Sequence, residues 1–317
     1  MCTSILVRYK DGVVMGRNMD YEHPIGYNVL YLPSGYHYAE DLYGNPMKNK
    51  YKMMGVCFLD HNPLKDGVNE HGLIGCTNTF RVINPFAAEV DPEKYNLSSL
   101  DFMNHALGNY RNVPELVADL ENLHISHRNS RGDRIVCPEF HYFFADAEGN
   151  SVVLEPENRK LTAFENPFDV MTNSPSLGSH ERRLRKLMDL DRLEDFNSVK
   201  GLPGGYDPVS RFIKAFYLTK THVPSEDGHS AIEAAYSILE SLKMPQGFVK
   251  LRGNPDHSYT RYMCAYDTQK RLLTVRSHTN SAVFSLSFDQ IEDPAQRLSI
   301  EVEQRMCLIP FESIGDV

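Results

Sequence analysis

The sequence predicts an α+β fold in which antiparallel sheets are covered by helices, and three observations predict it. Strand-like and helix-like stretches come in separate blocks, in the order strands, helices, strands, helices, strands, and do not alternate singly as a parallel α/β sheet requires. Short turn signals separate the apolar runs, as in hairpins and meanders. No internal repeat, low-complexity tract or flexible linker divides the 317 residues, so 1–317 reads as a single domain.

The first block contains the apolar runs Thr3 to Tyr9, Val13 to Arg17 and Val29 to Leu32, punctuated by Lys10-Asp11-Gly12 and Pro33-Ser34-Gly35. Near Ser99 the period changes. Leu100, Phe102, Met103, Ala106 and Leu107, then Leu116, Val117, Leu120 and Leu123, fit two amphipathic helices, the second with Pro114 in its first turn. His141 to Ala145, Ser151 to Glu155 and Lys160 to Phe164 read as a meander. Helical spacing returns over His180 to Leu190, Val209 to Leu218 and Ala231 to Leu242. The last strands are Tyr259 to Tyr266, Leu272 to Ser277 and Ala282 to Leu286.

Composition limits the function classes. With 41% hydrophobic and 24% charged residues the chain can bury a large core and is not disordered. A net charge of -9 with no long basic stripe argues against nucleic-acid binding. The one dense basic run, Arg182-Arg183-Leu184-Arg185-Lys186, reads as a solvated helix face. No apolar run is long enough to span a membrane and no signal peptide is apparent, so a cytoplasmic protein is expected. Cys2, Cys57, Cys76, Cys137, Cys264 and Cys307 form no C-x-x-C pair, which argues against a zinc knuckle or redox dithiol. All but Cys2 read as buried, reduced thiols.

Cys2 stands apart because removal of Met1 would place a thiol and a free α-amine on one residue. With an amine pKa of about 7.7 to 8.0 and a thiol pKa of about 8.5, the amine can act as base toward its own sulfur. A β-hairpin would carry Arg17 and Asp20 of Arg17-Asn18-Met19-Asp20 back beside Cys2, the cation to favour thiolate and the carboxylate to hold the amine. Asn173, between an apolar strand end and a helix, offers an amide to an oxyanion; Asn and Ser are also ordinary turn formers there. A glycine-rich loop from Gly201 to Tyr206 delivers Arg211 at the start of a helix.

These pieces resemble the choloylglycine hydrolase family, which contains the bile salt hydrolases and penicillin V acylases. The matching segments are Met1-Cys2-Thr3-Ser4, Arg17-Asn18-Met19-Asp20, Gly67-Val68-Asn69-Glu70-His71-Gly72-Leu73, His141-Tyr142, Val153-Leu154-Glu155-Pro156, Met171-Thr172-Asn173-Ser174-Pro175, Gly201-Leu202-Pro203-Gly204, Ser210-Arg211-Phe212 and Tyr259-Thr260, in family order. The resemblance implies the α+β four-layer αββα sandwich of two antiparallel sheets shared by N-terminal-nucleophile hydrolases. It implies Cys2 as nucleophile, Arg17 and Asp20 as organisers of its sulfur and amine, Asn173 as oxyanion donor and Arg211 as a second arginine near the nucleophile. No metal or organic cofactor is expected, and Met1 removal alone would activate the chain.

The sequence departs from the family pattern twice. Where bile salt hydrolases usually carry Asn and penicillin V acylases Tyr, an ungapped count reaches Thr79, and a one-residue shift reaches Asn78; either would serve the oxyanion hole and pocket wall. The stretch between Asn173 and Gly201 is shorter than the loop by which relatives reach across subunits, which leaves homodimer and homotetramer open. Tyr21, Tyr27, Phe58 and Phe80 are candidates to receive an apolar acyl body, or core residues. The leading expectation is hydrolysis of a small-molecule amide, with glycine- or taurine-conjugated bile salts first and penicillin V, N-acyl homoserine lactones and N-acyl amino acids as alternatives. A glutamine amidotransferase would need a synthase domain for which the chain has no motif. A non-catalytic binding protein on the same fold would be expected to lack Cys2, Asp20 or Asn173.

Overall fold

The computed structural model describes residues 1–83, 85–250, 256–306 and 308; Cys307 lies outside them. The chain opens with β1 (Cys2–Tyr9) and β2 (Gly12–Tyr21), then β3 (Tyr27–Leu32), β4 (His37–Glu40), β5 (Pro46–Lys48), β6 (Met53–Phe58), β7 (Leu64–Asn69), β8 (Ile74–Thr79) and β9 (Tyr95–Leu97). Helices α1 (Phe102–Asn109) and α2 (Val113–Asp119) follow, then β10 (Leu123–Ile125), β11 (Phe140–Ala145), β12 (Ser151–Glu157), β13 (Lys160–Glu165) and β14 (Val170–Met171). The second helical block is α3 (Leu177–Leu187), α4 (Ser198–Gly201), α5 (Pro208–Thr221) and α6 (Gly228–Glu240). The chain returns through β15 (Val249–Lys250), β16 (His257–Asp267), β17 (Leu272–Ser277), β18 (Phe284–Ser287) and β19 (Leu298–Glu301).

The expected order of blocks is the observed one. Helix α3 begins earlier than its apolar spacing suggests because the Leu177 amide donates to Glu155 Oε1 (2.9 Å), a cap supplied from β12. Strands β4, β5 and β9, of three or four residues, are too short to carry a readable period and had no sequence expectation, whereas β14 is the apolar strand end expected before Asn173 and β10 takes Leu123 out of the expected second helix, which ends at Asp119.

Two antiparallel sheets lie face to face. In the first the order is β14-β1-β2-β16-β17-β18, with β15 also paired to β16; in the second it is β13-β12-β11-β8-β7-β6-β3-β19. Helices α5 and α6 cover the outer face of the first sheet, and α1 packs on β7 and β8 of the second. This is the αββα sandwich. One core fills the space between the sheets and under α5 and α6, and a second fills the space between the other sheet and α1 and α2.

Helix α6 shows how sequence sets a layer. Asp227 caps it through the Ser230 amide (2.9 Å), and Ala231, Ile232, Ala235, Ile238 and Leu239 fall on one buried stripe. Small residues let it approach: a side-chain carbon at Gly16 of β2 would stand only 3.0 Å from Leu239 and 3.2 Å from Ala235. Ala235→Leu would therefore overpack this contact and cost about 1–3 kcal/mol.

The Gly67-to-Leu73 motif is a turn device. Asn69 Oδ1 accepts from the His71 and Leu73 amides, its Nδ2 donates to the Leu107 and Tyr110 carbonyls, and Gly72 takes φ +84, where a side chain would also meet the Thr268 carbonyl at 2.4 Å. It ties the β7–β8 hairpin to the end of α1, with β8 packed under β1 and β2 and β7 under β17.

Candidate active site

Cys2 starts β1, opposite Met19 of β2, and Ser4 pairs with Arg17. Because side chains alternate along a strand, Cys2, Ser4, Arg17 and Met19 point into the space between the sheets, whereas Thr3 and Asp20 point toward the helices. Arg17 and Asp20, three residues apart, therefore approach Cys2 from opposite sides of the sheet. Arg17 Nη2 stands 3.6 Å from Cys2 Sγ and also donates to the Thr77 carbonyl; Nη1 pairs with Asp66 and lies 3.1 Å from the Tyr262 hydroxyl. Burial opposes the Arg17 cation, but Tyr262, Cys2, Asp66 and Cys76 more than offset it and raise its pKa.

Asp20 is buried, which pushes its pKa up against the pull of Arg211, the N-terminal ammonium, Thr260 and Arg17. Its Oδ1 accepts from Thr260 Oγ1 (2.6 Å), and its Oδ2 has no partner among the described residues. A buried carboxylate oxygen without a donor is costly, so this atom faces a place where a donor is due. Met1 is still attached: its ammonium donates to the Asp20 carbonyl (2.8 Å), and the Asp20 amide donates to the Met1 carbonyl (2.9 Å). The Cys2 nitrogen is thus an amide, donating to Asn173 Oδ1 (2.8 Å).

The Met171–Asn173 segment leaves β14 with every carbonyl held. Asn78 Nδ2 donates to the Met171 and Thr172 carbonyls, His141 Nε2 to Thr172 O (3.0 Å) and His180 Nε2 to Asn173 O (2.9 Å). Both histidines are buried, stacked on Phe80 and Phe212 respectively. Burial pushes the His180 pKa down to about 4, so it is a neutral donor. Arg211, in the first turn of α5, donates from Nη2 to Asn173 Oδ1 (2.8 Å), from Nη1 to the Cys2 carbonyl and Thr3 Oγ1 (2.6 Å), and from Nε to the Tyr206 carbonyl (2.9 Å). Helix α5 starts there because Asp207 accepts from the Val209 and Ser210 amides and Pro208 fills the first turn. With Oδ1 of Asn173 committed to two donors, its Nδ2 faces the other way, donating one hydrogen to Thr79 O (2.9 Å) and leaving one.

A cavity of about 310 Å³ opens over this floor, lined by Met1, Tyr21, Glu22, Thr79, Arg81, Asn173, Ser174 and Pro208. Thr79 borders it. Asn78 does not: it is fully buried, with its amide spent on the Met171–Thr172 carbonyls. Of the four aromatic candidates, Tyr21 lines the cavity and Phe58 packs behind it at 5.5 Å. Tyr27 and Phe80 are core residues: strand alternation in β3 turns the first inward, tilted on Tyr262 between the sheets, and the second, just past the end of β8, is stacked on buried His141. Cys57, Cys76 and Cys264 are buried free thiols, burial pushing Cys57 up to about 11 and Cys76 up to about 12; Cys137 is half-buried. The stretch from Ser174 to Gly201 holds α3 and α4, and Arg182, Arg183, Arg185 and Lys186 face solvent.

A first strand that begins with Cys2, a side-chain amide held by two histidines and an arginine, and a cavity above them fit amide chemistry, and comparison with known proteins specifies it. The family model described as linear amide C–N hydrolases, choloylglycine hydrolase family, matches residues 2–293. The chain belongs to the choloylglycine hydrolase family. It is a hydrolase of carbon–nitrogen bonds in linear amides. As a choloylglycine hydrolase it is 26% identical to a bile salt hydrolase/transferase of Clostridium perfringens, over 92% of this chain and 93% of that one. A variant of the conjugated bile acid hydrolase of C. perfringens superposes with a TM-score of 0.84 at 23% identity, covering 98% of this chain and 100% of that one. Penicillin V acylase of Agrobacterium tumefaciens superposes at 0.75 and 23% identity, covering 92% and 87%. These likenesses establish the sandwich.

For a choloylglycine hydrolase of this architecture, sequence reasoning left out Asp66, Tyr262, Thr260, His141 and His180. His141 and Thr260 sit in the motif segments quoted above, and Asp66 directly precedes another, but nothing local says what a side chain meets across a sheet. Among the described residues no group of three or more His, Cys, Asp or Glu is placed to hold a metal, and no helix is long and apolar enough to cross a membrane.

Proposed function

We propose that the protein, once Met1 is removed, uses Cys2 as nucleophile to release a small amine from an N-acyl conjugate, with glycine- or taurine-conjugated bile salts as the leading substrates. The observation that carries the catalytic reading is the unpartnered Oδ2 of buried Asp20 at a strand pairing that now holds Met1. A freed Cys2 amine supplies the donor that atom lacks, while Asn173 Oδ1 keeps the hydrogen bond it already makes to the same nitrogen.

In this mechanism the amine takes the thiol proton as Sγ attacks the carbonyl carbon, and Arg17 steadies the thiolate. The remaining Asn173 Nδ2 hydrogen and the Thr79 amide stabilise the oxyanion. Phe80 N donates to Glu139 O (2.7 Å), so ladder alternation turns the Thr79 N–H away from β11. The amine then gives its proton to the departing amine, leaving a thioester on Cys2; water attacks it and releases the acid.

The substrate reading is supported by the named relatives and by the rim. Arg81 is exposed and its guanidinium has no partner among the described residues, a free cation for the carboxylate or sulfonate of a conjugate. Met1 itself is part of the cavity wall, so its removal also widens the cavity. The test is release of amine from glyco- and tauro-conjugated bile salts, penicillin V and N-acyl homoserine lactones by Met1-processed protein, beside Cys2→Ala. Cysteine-dependent release from bile salts supports the reading, release from another class alone replaces the substrate, and release undiminished in Cys2→Ala removes Cys2 as nucleophile.

A further inference from the structure

Behind Arg17 lies a charge that the mechanism above does not use. Asp66 of β7 is fully buried, and it meets Arg17 across the space between the sheets. Its Oδ2 accepts from Arg17 Nη1 and from the Tyr262 hydroxyl (2.6 Å), and its Oδ1 accepts from the Tyr266 hydroxyl. Both tyrosines come from β16 and are fully buried, with pKa values raised by burial, so both remain neutral donors.

Their placement depends on a bulge. Thr260 pairs with Asp20 and Tyr262 with Met19, so Arg261 is an extra residue that shifts the register. The shift lets Thr260 serve Asp20 on the helix side while Tyr262, Cys264 and Tyr266 all face Asp66 on the other. One strand thus supports both charged residues that flank Cys2.

We propose that Asp66, held by Tyr262 and Tyr266, is a positioning residue of the amide hydrolysis: it fixes the Arg17 guanidinium and takes up part of its charge, so that Cys2 Sγ meets one N–H edge of an already paired cation. The proposal rests on Cys2 being the nucleophile. Its physical content is a balance. An unpaired buried arginine 3.6 Å from the sulfur would hold a thiolate tightly and make it a poor nucleophile, because nucleophilicity falls with basicity. Pairing that arginine leaves the sulfur basic enough to attack. The charged and titratable groups around this point are the N-terminal amine, Arg17 and Asp20 from β2, Lys65 and Asp66 from β7, Cys76 from β8, Arg211 from α5, and Tyr262, Cys264 and Tyr266 from β16. Asp66 is the carboxylate among them that bonds Arg17 directly.

The experiment is the pH dependence of Cys2 alkylation by iodoacetamide in the Met1-processed protein, followed by intact mass, for wild type, Asp66→Asn and Tyr266→Phe. Cys2→Ala identifies the modified site. Asp66→Asn keeps the shape and removes the charge, and the alkylation midpoint falls by about one pH unit or more, with the acid limb of kcat/KM following it and kcat dropping about tenfold or more. Tyr266→Phe keeps the charge but strips a donor from it, concentrating negative charge beside Arg17, and moves the midpoint upward. A merely structural role would loosen the site in both variants and move the two midpoints alike. Midpoints that stay at the wild-type value, or that shift in the same sense in both variants, overturn the proposal. If Asp66→Asn does not fold, Tyr266→Phe alone decides it by the upward shift or its absence. Because alkylation needs no amide substrate, a wrong substrate assignment leaves this result intact, whereas alkylation that persists unchanged in Cys2→Ala would strike the nucleophile reading instead.

Discussion

The floor and the rim of the cavity are built on opposite principles. On the floor, Cys2, Arg17, Asp20, Asn173 and Arg211 are all buried, and nearly every polar atom has a partner from a different strand or helix. At the rim, Tyr21 and Glu22 are half-exposed and Arg81 is exposed, with no partner for its guanidinium among the described residues. The floor is therefore preorganised, whereas the rim joins a fixed ring, Tyr21 of β2 packed on Phe58, to the exposed Arg81, and the proposed reading assigns substrate choice to the rim. Such a division lets one floor serve different amides.

The largest effect that tests this division is at the nucleophile. Cys2→Ala should lower kcat by at least about a thousandfold on any accepted substrate; measurable turnover near the wild-type rate would mean that the floor is not where bonds are broken. Asn173→Ala should come next, costing about 10² to 10³ in kcat with a smaller change in KM. A loss confined to KM would instead make Asn173 a binding residue and move the oxyanion site elsewhere.

Stability against pH sharpens the contrast, because two of the groups that shift most are buried histidines. Burial holds His105 and His180 near a pKa of about 4, against 6.5 in the unfolded chain. Between those values the unfolded state binds more protons, so stability falls as pH drops through 6.5 and on toward 4, by up to about 3 kcal/mol for each histidine. Asp20, raised by burial, works against this slope. Urea melts of wild type and His180→Phe from pH 7.5 to 4.5 should show a shallower acid-side decline in the variant, and equal declines would remove His180 as a source.

The rim should give the smallest effect. Arg81→Glu should raise KM for anionic conjugates by about threefold to tenfold and leave kcat within about twofold, as befits an exposed charge. A large fall in kcat would place Arg81 on the floor after all, and an unchanged KM would take the anionic group away from Arg81.

The contrast also marks how far the residues could be read. Cys2, Arg17 and Asp20 were legible because a hairpin register is local: a turn at Lys10-Asp11 returns β2 beside β1, and the pairing follows by counting. Asn173 and Arg211 were legible through their loop-to-helix settings and the family resemblance, and the structure joins them by one hydrogen bond. Tyr27 was assigned no face because an aromatic in a strand buried on both sides gives no alternation to read, and Phe80 because it lies just past the end of β8, where no strand period applies.

By itself the sequence determined the block order, the hairpin that brings Arg17 and Asp20 to Cys2, and the amide-hydrolase family, since turns, periodicity and ordered motifs act over short spans. Only the tertiary structure decided that Thr79 and not Asn78 borders the cavity, that His141 and His180 hold the Asn173 segment, and that Asp66 and two tyrosines stand behind Arg17. Those contacts join residues that are distant in the chain, and their geometry comes from how two sheets stack, which no local pattern encodes.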